Sequence, residues 1–417
     1  MLLFWPKVRS SLEFNERTQL VGGDDTGGAR WRAKAAQDRS VGPSEGLTTD
    51  WTPKPRERVI AVNDMFPTTM NWHPSLVFLV CGLFGTGLAE SVIAGDSIPS
   101  TFKIPVLVLH YFPTNGADID ISITGDWGKP LDATREKTQR QTREVIAALR
   151  EGSRYRAFMN SNSAPALEYE VVGSLEFLKP MPTFSKAGHQ VPMTDYRRIM
   201  QTADIRDWVE NKGVKEVWIW GYHGGKVDLW ESNMASRFGD VSNSDRDPDD
   251  LPVLARTYTV YHYNYQRGAS EAVEDHMHQI EAVLNHVDGR DRTPESDWPN
   301  LLFWGRFVGS DRSMKILRPG CGWAHYPPNG QQDYDWANPR YVETDMDDWK
   351  PDGSGVKTRM NCDRWGGSSL RWFIYWMQHL PGPDNGLTSG RKALNNWWVF
   401  IGDYDLAKGK GLGLTKE

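Results

Sequence analysis

Cysteine is scarce, with three in 417 residues, so a small disulfide-stapled scaffold is excluded. Basic excess is absent too. The net charge of −6 offers no electrostatic footprint for nucleic acid or for an anionic membrane surface. No GxGxxG or P-loop pattern opens a helix, so no nucleotide cofactor is expected. The GxSxG nucleophile elbow, HExxH and HxxEH are all missing, and no internal repeat is visible. What is abundant is tryptophan, at 19 residues, beside 39 Gly and 25 Pro. Indoles belong in cores, in interfaces and on sugar-stacking platforms. The Gly and Pro content points to much loop.

Residues 1–64 are polar with no sustained period and read as a disordered extension. Residues 65–94 differ. The apolar run Leu76–Ala89 is 14 residues long, too short to span a bilayer comfortably and suited to the core of a signal peptide. Small residues offer cleavage after Ala89 or Ala94. A signal this far from residue 1 implies a translation start at Met65 or Met70. The alternative is a buried apolar strand or helix. Cleavage would leave a secreted or periplasmic protein with no stable membrane span. It would also leave Cys321 and Cys362 in an oxidising compartment, where they are expected to pair as a disulfide.

The body reads as α/β, a mostly parallel sheet flanked by helices. Ile104–Phe112, Tyr169–Leu178, Val214–Trp220 and Val253–Tyr265 are expected strands, rich in β-branched and aromatic residues. Leu131–Arg150, Asp195–Asn211 and Glu271–Val287 are expected helices alternating with them. Residues 95–293 form the expected core. From Pro294 a loop-rich aromatic segment, 294–417, is expected to cap the sheet. It contains a short strand at Leu301–Val308, a helix at Leu370–His379 and an apolar piece at Asn395–Phe400.

Parallel sheets place ligands at the carboxyl ends of their strands. That rule selects His223 and Glu231 after one strand, and Asn264 and Arg267 after the next. On the following helix Glu271, Glu274, His278 and Glu281 recur at a spacing that puts them on one face. Three carboxylates and an imidazole on one stripe can bind metal or run acid–base chemistry, and the same stripe can be a solvated face. His278 and Glu281 make a workable ligand pair. His325, held before Pro327-Pro328, is the expected further ligand, with His223 next. Glu231, Glu271, Arg267 and Asn264 are the candidate catalytic residues. Arg267 can grip an anionic group or pair with Glu271. Asp245, Asp247, Asp249 and Asp250 resemble the start of a calcium loop, but Asp250 and Arg256 stand where an EF-hand needs Gly and Glu.

The first reading is therefore a secreted hydrolase using Zn²⁺ or another divalent metal on a peptide, amide or ester bond of an extracellular polymer or peptide. Two alternatives stand beside it. One is a glycosidase using the Glu231 and Glu271 carboxylates. The other is a non-catalytic carbohydrate-binding protein that stacks sugars on Trp230, Trp304, Trp323, Trp336, Trp365 and Trp398.

Overall fold

A strand covered on both faces must be apolar throughout, as the run at Ile104 is. The computed structural model describes residues 98–244, 247, 249–310 and 320–417. In it the run is strand β1 (Phe102–Tyr111), buried at every position from Val106 onward. The 1–64 extension, the signal-like 65–94 segment and Asp245 lie outside the described residues.

Four further strands complete the sheet: β2 (Leu167–Phe177), β3 (Glu216–Gly221), β4 (Ser232–Ala235) and β5 (Tyr258–Asn264), in the order β2-β1-β3-β5-β4. The β2-β1, β1-β3 and β3-β5 pairings are parallel. β4 runs antiparallel at one edge, where the sequence reads as loop. The fold is thus α/β with a mixed, mostly parallel sheet. At the other edge the β1–β2 register slips after Val106, leaving Val172 as a bulged extra residue. The next residue is Gly173, and a Cβ there would stand 2.3 Å from the Trp208 ring.

The longer helices among the described residues are α1 (Leu131–Gly152), α2 (Tyr196–Thr202), α3 (Ala269–Val287) and α4 (Ser369–Met377). α1, α3 and α4 pack on one another. The alternation along β5 shows which face they cover. Tyr261 stacks on His276 of α3 at 3.8 Å between ring centroids, and the Tyr263 hydroxyl bonds the same imidazole at 2.6 Å. His262, between them, points the other way and meets the Tyr196 hydroxyl of α2 at 2.9 Å. Trp220 of β3 donates to Thr142 of α1 at 2.9 Å. Helices therefore lie on both faces.

Among the described residues seven indoles are fully buried: Trp218, Trp220, Trp304, Trp372, Trp376, Trp397 and Trp398. At roughly 25 cal/mol per Å² and roughly 150–250 Å² per ring, each contributes about 4–6 kcal/mol of burial. The tryptophan content is first of all a core.

Several elements depart from the expected ones. The Asp195–Asn211 helix breaks after Thr202, because Asp204 adopts a left-handed φ of 51°, and resumes as a π-turn at Asp207–Asn211. Val253–Thr257 does not join β5. Leu302–Val308 is a π-helix, not a strand. There Gly305 packs on the preceding turn so closely that a Cβ would stand 2.2 Å from the Pro299 carbonyl oxygen. Short apolar runs carry no period that separates these outcomes. Cys321 and Cys362 are two buried thiols and not a disulfide. No helix among the described residues is long and apolar enough to cross a membrane.

Glu216 opens β3 inside this core. Burial pushes its carboxyl up to about 8, against hydrogen bonds from the Trp218 indole and the Tyr169 hydroxyl. A raised folded-state value means that the native state keeps a proton the unfolded chain has released. Stability should therefore fall as pH rises from about 4.5 to about 8, by about 1.4 kcal/mol per pH unit at most. Glu216→Gln should flatten that slope in denaturant titrations across this range, and an unchanged slope would refute the assignment.

Candidate metal centre

α3 begins at the carboxyl end of β5. Gly268 is its N-cap, and the Glu271 carboxylate closes a capping box by accepting the Gly268 N–H at 3.0 Å. The same oxygen accepts the Ser270 hydroxyl at 2.9 Å. Glu271 is thus used to start the helix, and Ser270 lies inside it. The rest of the stripe is not a solvated face. Its side chains are only 15% exposed at Glu274 and 8% at both His278 and Glu281.

What covers the stripe is the segment Gly322–Tyr326. Trp323 and Tyr326 exchange both backbone hydrogen bonds, at 3.0 and 3.1 Å, in a tight reversal. Gly322 permits it with a φ of 74°; a Cβ there would stand 2.3 Å from the Tyr326 carbonyl oxygen. The peptide before His325 is gripped at both ends. The Ala324 N–H donates to Glu281 Oε1 at 2.7 Å, and the Ala324 carbonyl accepts the indole N–H groups of Trp336 and Trp372 at 2.9 and 3.1 Å. His325 is therefore aimed at α3 by hydrogen bonds from three directions.

Three electron-pair donors then converge. Glu274 Oε1 lies 3.0 Å from His325 Nε2 and 3.7 Å from His278 Nε2, and the two Nε2 atoms are 3.1 Å apart. Ligand bonds of 2.0–2.1 Å around a tetrahedral ion separate neighbouring ligands by about 3.3 Å. The triangle has those dimensions, and among the described residues this is the group that can hold a metal ion. His278 Nδ1 lies 3.2 Å from Glu281 Oε2. An ionised carboxylate only accepts, so Nδ1 donates, and a ring that gives up its second proton presents the Nε2 lone pair to the centre.

The electrostatics ask for positive charge at that point. Burial alone would push the Glu274 carboxyl up, but the adjacent imidazoles of His278 and His325 outweigh it and hold the group at about 2. Burial would push the His278 imidazole down, yet the carboxylates of Glu274 and Glu281 beside it win and hold it well above its ordinary value. A proton or a metal cation satisfies the same field.

Charged groups ring the centre. Glu231, just before β4, adds its charge to those acting on His278 and on Asp275. Asp275 is buried, and desolvation first, then Glu231 and Glu274, keep its carboxyl well above the ordinary range. Glu231 itself is held by Asn243, whose amide donates to Oε2 at 2.6 Å. Tyr334 lies against His325 with ring centroids 4.3 Å apart. Burial first, then Glu274, Glu231 and Asp333, raise its phenol, and Arg267 opposes them. Arg267 is exposed, and Glu271, its expected partner, is occupied at the helix cap.

The remaining candidates sit elsewhere. Asn264 accepts the Gln266 N–H and shapes a turn. The His223 ring donates from Nδ1 to the Val227 carbonyl and is outside the ligand triangle. Glu281 backs His278 and holds the Ala324 peptide, while Glu274 supplies the oxygen of the triangle. Sequence spacing places both on the same stripe and does not rank them. Asp275 and Tyr334 carried no signal in the sequence beyond their residue types. Of the six aromatic candidates for sugar stacking, Trp230, Trp304, Trp323, Trp365 and Trp398 are buried and only Trp336 is partly exposed. Comparison with protein-family models and with curated proteins finds no match.

Glu281→Ala strips partners from the His278 ring and the Ala324 N–H together. It should cost about 2–4 kcal/mol in denaturant unfolding, since buried donors left unsatisfied cost about 1–3 kcal/mol each. A loss below about 0.5 kcal/mol would show that the carboxylate does not hold the segment.

Proposed function

We propose that the chain is a divalent-metal-dependent hydrolase, with Glu274, His278 and His325 as metal ligands and Glu231 as general base. The convergence of Glu274 Oε1, His278 Nε2 and His325 Nε2 within 3.7 Å carries this reading. Two imidazoles and one carboxylate form a borderline-hard donor set suited to Zn²⁺, and three protein ligands leave a coordination position open. A cation held there supplies Lewis acidity and makes a water acidic near neutral pH.

The chain's own residues supply the rest. Glu281 keeps the His278 proton on Nδ1 and its lone pair at the centre. Glu231, outside the triangle and anchored by Asn243, accepts the proton of the attacking water. Tyr334, over His325, offers a hydroxyl to an oxyanion developing at the substrate carbonyl. Arg267 at the rim attracts an anionic group on the substrate. The segment from Pro294 onward serves as the cap over this edge of the sheet and delivers His325 to it. The substrate class is a peptide, amide or ester, met outside the cytoplasm on the strength of the signal-like run Leu76–Ala89. Glu271 is engaged at the helix cap, so the Glu231–Glu271 carboxylate pair of a glycosidase has less support. The burial of most candidate indoles likewise disfavours a sugar-binding platform.

Protein purified without chelator should contain about one equivalent of zinc or another transition metal, and His278→Ala and Glu274→Ala should lose it. Elemental analysis makes the check, and no metal in the wild type after incubation with Zn²⁺ sinks the proposal. Glu231→Gln should keep the metal and lower hydrolysis of a responsive peptide or ester substrate about 10²–10⁴-fold. Undiminished turnover in that variant would remove Glu231 from the role of base.

A further inference from the structure

The two imidazoles of the metal centre are not equally supported. His278 Nδ1 has the Glu281 carboxylate at 3.2 Å. His325 Nδ1 is buried and makes no hydrogen bond among the described residues. The acid that faces it is Asp333, whose Oδ1 lies 3.7 Å away, just outside bonding range. The Asp333 side chain is 53% exposed, so it has freedom to move, and it also faces the Tyr326 hydroxyl. The next residue, Tyr334, has a φ of 62°, a left-handed conformation unusual for an aromatic side chain, and its N–H donates to the His325 carbonyl at 3.1 Å. The backbone carrying Asp333 is therefore tied to the residue whose ring nitrogen it faces.

We infer that Asp333 is the positioning carboxylate of His325. The inference rests on the proposed metal centre. A neutral imidazole that gives Nε2 to a cation carries its single ring proton on Nδ1. Withdrawal of charge by the cation strengthens that N–H as a donor, and leaving it buried without an acceptor is costly. A shift of roughly 1 Å brings Asp333 into hydrogen-bond range. The centre then has one carboxylate behind each imidazole: Glu281 from the helix, already in place, and Asp333 from the loop, drawn in on loading. Tyr334, the next residue, already lies against His325 with ring centroids 4.3 Å apart, so the side chain of Asp333 is the part that moves.

The test is Zn²⁺ affinity, measured by competition with a chromophoric chelator, for the full chain as wild type, Asp333→Ala and Asp333→Asn. Outer carboxylates behind ligating imidazoles typically change metal affinity about 10–100-fold. Asp333→Ala should lose affinity by that factor, and Asp333→Asn, which keeps an acceptor and loses the charge, should fall between. Thermal melting of the metal-free proteins should separate the variants by no more than the loss of the exposed Asp333 contact with the Tyr326 hydroxyl, because Asp333 makes no bond to His325 before loading. Wild-type affinity in Asp333→Ala, with about one equivalent of Zn²⁺ bound by the wild type, overturns the inference and leaves the metal centre standing. A lowered metal-free melting temperature with unchanged affinity also overturns it, by showing a merely structural role. A wild type that takes up no Zn²⁺ overturns both readings. If Asp333→Ala does not fold, the asparagine variant decides.

Discussion

Three electron-pair donors pointed at one another in a mostly dehydrated space repel, unless positive charge lies between them. Glu274, His278 and His325 are in that position, and the surrounding structure is arranged to keep them there. Two of them share a turn of α3, where a spacing of four residues stacks them on one face. The third arrives on a separate segment and has to be aimed. The aim comes from the peptide of Ala324, whose N–H is taken by Glu281 and whose carbonyl is taken by two indoles. Glu281 thus acts on both imidazoles, on one through its ring nitrogen and on the other through the backbone before it.

The sheet explains why this happens where it does. β3 and β5 are parallel, so their carboxyl ends open on the same side, and α3 starts from that side. The antiparallel strand β4 enters from the opposite direction, which brings Glu231, at its start, to the carboxyl end of β5. There the Glu231 carbonyl accepts the His262 N–H at 3.2 Å. A fully parallel sheet would not have placed that carboxylate beside the centre. The segment after Pro294 adds α4 to the layer formed by α1 and α3, and it also carries His325, so one stretch of chain serves both core and site.

Much of this was legible in the sequence where the signal is local. β1 announces itself by an unbroken apolar run, α1 and α3 by length without an internal breaker, and the acidic stripe by its spacing; the cap of α3 is Gly268 and not the Ser270 that the residue types suggest. His325 stood out for the Pro-Pro that follows it. The rest depends on tertiary placement. Ser232–Ala235 is too short and too lacking in branched residues to read as a strand. Leu302–Val308 is apolar enough for either a strand or a helix. Glu274 and Glu281 sit on one stripe, and only the position of the Ala324 peptide separates ligand from support. The disulfide expectation combined an even cysteine count with inferred secretion and carried no geometric information. Asp333 and Tyr334 lie in a polar loop, and their meaning comes entirely from what the loop rests against.

The bulge at Val172 bears on how the molecule meets its neighbours. β2 is the outermost strand on its side of the sheet, eleven residues long, with Val171 and Val172 exposed at 41% and 39%. A long, flat, apolar rim invites another chain to add itself and start aggregation. Here the extra residue breaks the ladder midway and increases the local twist, Glu170 places an exposed carboxylate on the strand, and Glu168 and Glu176 tie it to Arg150 and Arg135 of α1. An approaching strand of the same sequence would find its register interrupted at the bulge. Gly173, which admits the Trp208 ring beside the bulge, couples this protection to the core. A protein dense in aromatic residues and built around a parallel sheet thereby keeps its rim closed to self-addition.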